Sequence, residues 1–157
     1  MSRMLDLATA IQQRLKAWPA LAGIDVLLDR QLDVESLMAA KVAQGKGAAI
    51  AVFWAGAANR NLDTSGPLLR CRYTISIFAR PVLRRGAATA DDLAEAAMKA
   101  LHHWVPALTQ EVDGEPVTTP IGGPHAAAEV KVIACDLASR DERFVIYEVA
   151  AEADLLL

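Results

Sequence analysis

From Arg3 to Trp18 the apolar residues Met4, Leu7, Ala8, Ile11, Leu15 and Trp18 recur at spacings of three and four. Arg3, Asp6, Gln12, Gln13, Arg14 and Lys16 fall largely elsewhere around the wheel, the pattern of an amphipathic helix. Pro19 stops it, because its ring cannot extend the helical backbone. Residues 24–28 form a short apolar run between Gly23 and the pair Asp29 and Arg30, and predict a first strand. Asp33 can cap a short second helix carrying Leu37, Met38 and Val42 as far as Gly45-Lys46-Gly47; a rearranged loop is the alternative. Residues 48–55, with Ile50, Val52, Phe53 and Trp54, read as a strand covered on both faces. The polar residues 56–67 read as a loop.

Residues 68–80 carry the clearest period of two in the chain. Cys71, Tyr73, Ile75, Ile77 and Ala79 alternate with Arg70, Arg72, Thr74, Ser76, Phe78 and Arg80. One face of that strand belongs to the core and the other is mostly polar, and an antiparallel hairpin with the preceding strand is expected. Thr89 can cap a helix with Asp91 and Asp92 in its first turn and Leu93, Ala97, Ala100, Leu101 and Trp104 as its stripe, ending at Pro106. Residues 106–124 hold four prolines and three glycines and read as extended or looped, with one short strand near 117–121. Residues 129–137 and 143–150 read as two further strands joined by the polar turn 138–142. The sum is an α+β fold: a mainly antiparallel sheet with two principal helices packed on one face. The other sheet face, bearing Arg70, Arg72, Thr74 and Ser76, is left to meet water, a lumen or another subunit.

The 157 residues fit one domain, 1–157, of ordinary size. Apolar residues make up 54 %, but 31 positions are alanine and eight are aromatic, so the core is modest per residue. A net charge of −3 argues against bulk nucleic-acid binding. The N-terminal stretch lacks the pattern of a secretory signal, and the longest apolar run, 48–58, is too short to span a bilayer. Cytoplasmic synthesis and no membrane segment are expected. Cys71 and Cys135 sit in apolar runs without metal or redox spacing, so buried free thiols are expected.

Catalytic signatures do not emerge. His102 and His103, adjacent on a helix, point about 100° apart and cannot share one metal. His125 has no acidic or cysteine partner at a recognisable spacing. Gly45-Lys46-Gly47 precedes a strand and matches no phosphate-binding loop, and Ser65 lacks a nucleophile-elbow context. Asp91 and Asp92 suit a helix start, and Glu111, Asp113 and Glu115 a solvated loop. No catalytic, cofactor-binding or metal residue is assigned, and the chain is expected not to be an enzyme.

The charge is nevertheless divided. Residues 60–85 carry +5 through Arg60, Arg70, Arg72, Arg80, Arg84 and Arg85 against Asp63, whereas residues 101–130 carry −4 with no Lys or Arg. Two solvated surfaces of opposite sign are one reading. A heterologous subunit interface is another, with Arg70, Arg72, Arg84 and Arg85 on one side and Glu111, Asp113 and Glu115 on the other. A third has the arginines touching DNA in a pore without sequence specificity.

The order of segments resembles the tail terminator (tail completion) proteins of long-tailed bacteriophages, above all the Mu-like group. The resemblance runs over nearly the whole chain. It is carried by the helix ending in Leu15-Lys16-Ala17-Trp18-Pro19, the short strand 24–28, the strand from Ala48 to Trp54 with its polar loop, the alternating Tyr73-Thr74-Ile75-Ser76-Ile77, and the helix running into Leu101-His102-His103-Trp104-Val105-Pro106. It implies a non-enzymatic phage or prophage assembly protein that forms a homo-hexameric ring, caps the tail tube, stops its polymerisation and meets the head connector. The implied partners are further copies of itself, the tail tube protein and the head-tail connector protein; the implied location is the host bacterial cytoplasm during assembly and then the virion tail. Another head-to-tail joining or contractile-injection-particle component, and a small cytoplasmic enzyme with an interface active site, are the alternatives.

Overall fold

The computed structural model describes residues 3–28, 47–59, 68–81, 88–121, 129–140 and 142–156. Helix α1 (Arg3–Ala17) leads through a single 3₁₀ turn (Pro19–Leu21) to β1 (Asp25–Leu28), β2 (Ala48–Asn59) and β3 (Leu68–Ala79). Helix α2 (Ala90–Leu101) follows, then β4 (Ala107–Val112), β5 (Glu115–Pro120), β6 (Lys131–Arg140) and β7 (Val145–Leu156). Five strands form one sheet in the order β1-β2-β3-β7-β6, and β4 with β5 forms a separate two-stranded sheet. All pairs are antiparallel except β1 with β2. A parallel pair needs a crossover of a dozen or more residues, and residues 29–47 supply that length. The expected short helix from Asp33 lies outside the described residues.

Both helices pack on one sheet face, as the α+β reading expects. Ile50, Val52, Tyr73, Ile75, Ile77, Val149 and Leu155 point there and are buried against Leu7, Ile11 and Leu15 of α1 and Leu93, Ala97 and Leu101 of α2. Each large aliphatic side chain so buried contributes about 1.5–3 kcal/mol. The Tyr73 hydroxyl, carried into this core, donates to the Met4 carbonyl at 2.7 Å. Burial pushes the tyrosine's pKa far up, so it stays a neutral donor.

Thr89 begins α2 as expected: its side chain accepts from the Asp92 N–H, and the Asp92 carboxylate accepts from the Thr89 N–H. This reciprocal pair is a capping box. Those hydrogen bonds from Thr89 hold the Asp92 pKa below its usual value. The helix stops earlier than Pro106, at Leu101, because His102 takes an extended conformation and His103 adopts a positive φ of 59°.

Three further expectations are corrected. The strand from Ala48 passes beyond residue 55 to Asn59, through a bulge between Trp54 and Gly56 where glycine takes φ 122°. The connection expected over 138–142 is displaced, since β6 runs on to Arg140 and the last strand begins at Val145, not Arg143, and continues past Ala150 to Leu156. The sheet face turned away from the helices is only half polar. At the Ala79 and Val145 end, Ala49, Ala51 and Phe78 are fully buried, with Leu27, Phe53, Phe144 and Ile146 packed against them. The Phe78 and Phe144 rings stand 4.6 Å apart, and Ser76 is buried beside this cluster. Cys71 is free and buried, whereas Cys135 is free and only half-buried. No helix among the described residues is long and apolar enough to cross a membrane.

Candidate functional site

The charged half of that outer face is fixed by strand register. Arg72 stands opposite Gly56 on one side and Glu152 on the other, and Glu152 stands opposite Lys131. Arg70 stands opposite Asp154. Direct cross-strand neighbours lie within side-chain reach, and ion pairs form accordingly. Arg70 Nε meets Asp154 at 3.2 Å and Glu152 at 3.6 Å, while Arg72 Nε meets Glu152 at 3.1 Å. Arg70 is half-exposed and Glu152 more covered, with side chains 35 % and 15 % exposed. A cleft of about 500 Å³ opens beside them, lined also by Glu129, Lys131 and Ile133. Two of the arginines expected to seek a partner's carboxylates therefore already hold carboxylates of their own chain.

Residues 107–120, expected as extended chain with one short strand, form a hairpin with a two-residue turn. Asp113 and Gly114 have φ of 52° and 81°, the positive values a type I′ turn demands and Asp-Gly supplies. The Thr109 and Thr118 hydroxyls bond across the hairpin at 2.9 Å. Strand β4 lies against α1, but residues 109–118 are exposed throughout. Glu111, Asp113 and Glu115 crowd the tip, and Val112 and Val117 are 50 % and 44 % exposed. The hairpin is thus an acidic arm with apolar side chains in water.

Its root is pinned at the end of α2. The His103 N–H donates to the Val130 carbonyl at 2.9 Å, and the Val130 N–H to the Trp104 carbonyl at 2.8 Å. The Val132 N–H donates to His102 Nδ1 at 3.2 Å, and His103 Nδ1 lies 2.7 Å from Glu129. The two imidazoles do not diverge as they would within a helix; their centroids are 4.0 Å apart, because the chain leaves helical geometry between them. Both histidines serve this junction between helix and sheet. Arg14 closes it from α1, bonding the Ala100 carbonyl at 2.9 Å and lying over the rings of Trp18 and Trp104.

At the start of α2 lies a second cleft of about 240 Å³, lined by Arg80, Pro81, Thr89, Ala90, Asp91, Arg140 and Val145. The Asp91 carboxylate acts on the Tyr147 hydroxyl and pushes its pKa up. Arg80 and Arg140 form no side-chain hydrogen bond or ion pair among the described residues.

Of the residues singled out in the sequence, Arg70 and Arg72 share one face of β3, and Glu111, Asp113 and Glu115 share the arm. The structure pairs neither group with the other. Arg84, Arg85, Arg60, Asp63, His125, Lys46 and Ser65 lie outside the described residues. Arg140 was missed because it sits alone in a polar turn by pattern; only the register of β6 on Val145 brings it beside Arg80. The arm was missed although Asp113-Gly114 between Val112 and Glu115 is a short-range hairpin signal.

No family model matches the chain, and no curated protein matches it. Among solved structures, one known only by a sequence identifier aligns over 100 % of this chain and 96 % of its own, with 11 % identity and a TM-score of 0.50. That likeness is one of fold. A second alignment, to the virion of a native gene transfer agent particle, covers 71 % of this chain and 83 % of that one at 14 % identity and a TM-score of 0.22.

Proposed function

We propose that this chain is a phage or prophage tail terminator, a non-enzymatic subunit of a hexameric ring that caps the tail tube, ends its growth and provides the joint to the head connector. The observation that carries the reading is the arm. Its Asp-Gly turn presents three carboxylates and two exposed valines on a hairpin apart from the main sheet. Exposed apolar surface rimmed by charge is what an assembly contact uses. The sequence resemblance, which spans nearly the whole chain, supplies the kind of assembly, and the α+β fold is compatible with it.

In this reading the partners are other copies of the chain, the tube protein and the connector, and the protein passes from the host cytoplasm into the virion tail. Contact with DNA in the ring lumen is non-specific and limited to phosphates. The test is to polymerise tail tubes with and without the purified chain and measure their lengths by negative-stain microscopy. A terminator narrows the length distribution and leaves a cap of added density at one end; unchanged lengths and bare ends reject the reading.

A further inference from the structure

Arg80 with Arg140, and the acidic arm, lie at opposite ends of one helix. The second cleft holds the start of α2, Thr89 to Asp91, whereas the arm springs from the junction after its end at Leu101. Twelve residues of helix set these ends about 18 Å apart. Asp91 also lines the cleft but forms no ion pair with either arginine among the described residues, and Asp92 is engaged by Thr89. Arg80 and Arg140 are both exposed and form no ion pair among the described residues. On the arm, Glu111, Asp113 and Glu115 are likewise exposed and unpaired among the described residues.

We infer that the acidic arm of one copy docks on the Arg80 and Arg140 cleft of the next. The inference takes from the ring reading above that the occupant is a second copy, and it moves the cationic half of the contact. Arg70 and Arg72 are spent on Asp154 and Glu152 of their own chain, so recruiting them would first break those pairs. Arg80 and Arg140 have no ion pair to break among the described residues. Val112 and Val117, exposed on the arm face that carries Glu115, gain cover in the same step. Because arm and cleft are different surfaces at different ends, the contact is head-to-tail and each copy keeps one of each free for a neighbour. Such a contact closes into a ring when the rotation per subunit allows.

A charge-swap experiment tests this on the full chain. One variant carries Arg80→Glu and Arg140→Glu, a second Glu111→Lys, Asp113→Lys and Glu115→Lys, and a third all five; circular dichroism verifies folding. Association is read by native mass spectrometry and sedimentation at about 0.05 M and about 0.5 M salt. The wild type is expected to associate more tightly at low salt. Each one-sided variant should lose about tenfold or more in affinity, an equimolar mixture of the two should pair heterotypically, and the five-fold variant should recover. A wild type that remains monomeric at every concentration, folded one-sided variants that associate as the wild type does, or a five-fold variant that fails to recover would each overturn the contact. Association that follows the charges while tube lengths stay unchanged supports this contact and removes the terminator reading alone.

Discussion

Arg70 and Asp154 face one another across β3 and β7, with Nε and carboxylate oxygen 3.2 Å apart. The pair turns an apparent basic patch into a cross-strand ion network closed within one chain. Exposed or half-exposed pairs of this kind contribute about 0–1 kcal/mol. Arg70→Ala is therefore expected to lower stability by no more than about 1 kcal/mol in chemical denaturation and to leave self-association unchanged. A loss of assembly as large as that from Arg80→Glu with Arg140→Glu would return Arg70 to the interface.

The capping box at Thr89 and Asp92 sets a pH dependence. Thr89→Ala should cost about 1 kcal/mol at neutral pH. The Asp92 pKa is lowered in the folded chain, so its contribution is present above the unfolded carboxylate pKa of about 3.9 and is lost as pH falls through the lowered folded value. Urea melts of Asp92→Asn and wild type should differ at pH 7 and converge in strong acid. A constant difference across that range contradicts the assignment.

Gly114 occupies φ 81° with open space around the position of a Cβ. Alanine there meets no clash but takes up a backbone conformation that costs an L residue about 1–2 kcal/mol. Gly114→Ala should loosen the arm, seen as faster amide exchange over residues 107–120, while exchange in β3 and β7 keeps its wild-type protection. Equal protection of the arm in both proteins would show that the turn does not hold it.

Tyr73 is 1 % exposed and donates to Met4 at 2.7 Å. Tyr73→Phe removes that bond, while the Met4 carbonyl keeps its helical partner within α1, and should cost about 0.5–1.5 kcal/mol, measured by thermal or urea unfolding. A neutral substitution would mean that the α1 anchor lies elsewhere.

The helices and the central strands were legible because their signals are local. Leu7, Ile11 and Leu15 announce a helix face, Thr89 with Asp92 announces a cap, and Tyr73, Ile75 and Ile77 announce a core strand. Alternation is weaker in the last strand, where Ala151 and Ala153 occupy inward positions, and its final six residues were not read. Polarity by position also misled at Ser76, which register places next to the buried Phe78 and Ala51 cluster. The candidate site was legible on its acidic side, where Glu111, Asp113 and Glu115 are close in sequence. Its basic side depends on Arg80 and Arg140 meeting across three strands, and on Glu152 and Asp154 neutralising Arg70 and Arg72. Those are long-range pairings that charge counts along the chain do not contain.

The most direct measurement is to label the chain with gold at an added terminal tag, incubate it with purified tail tubes, and locate the particles by electron microscopy. A terminator labels one end of each tube and leaves its length bare. Label distributed along the tubes, or no label on them at all, contradicts the account.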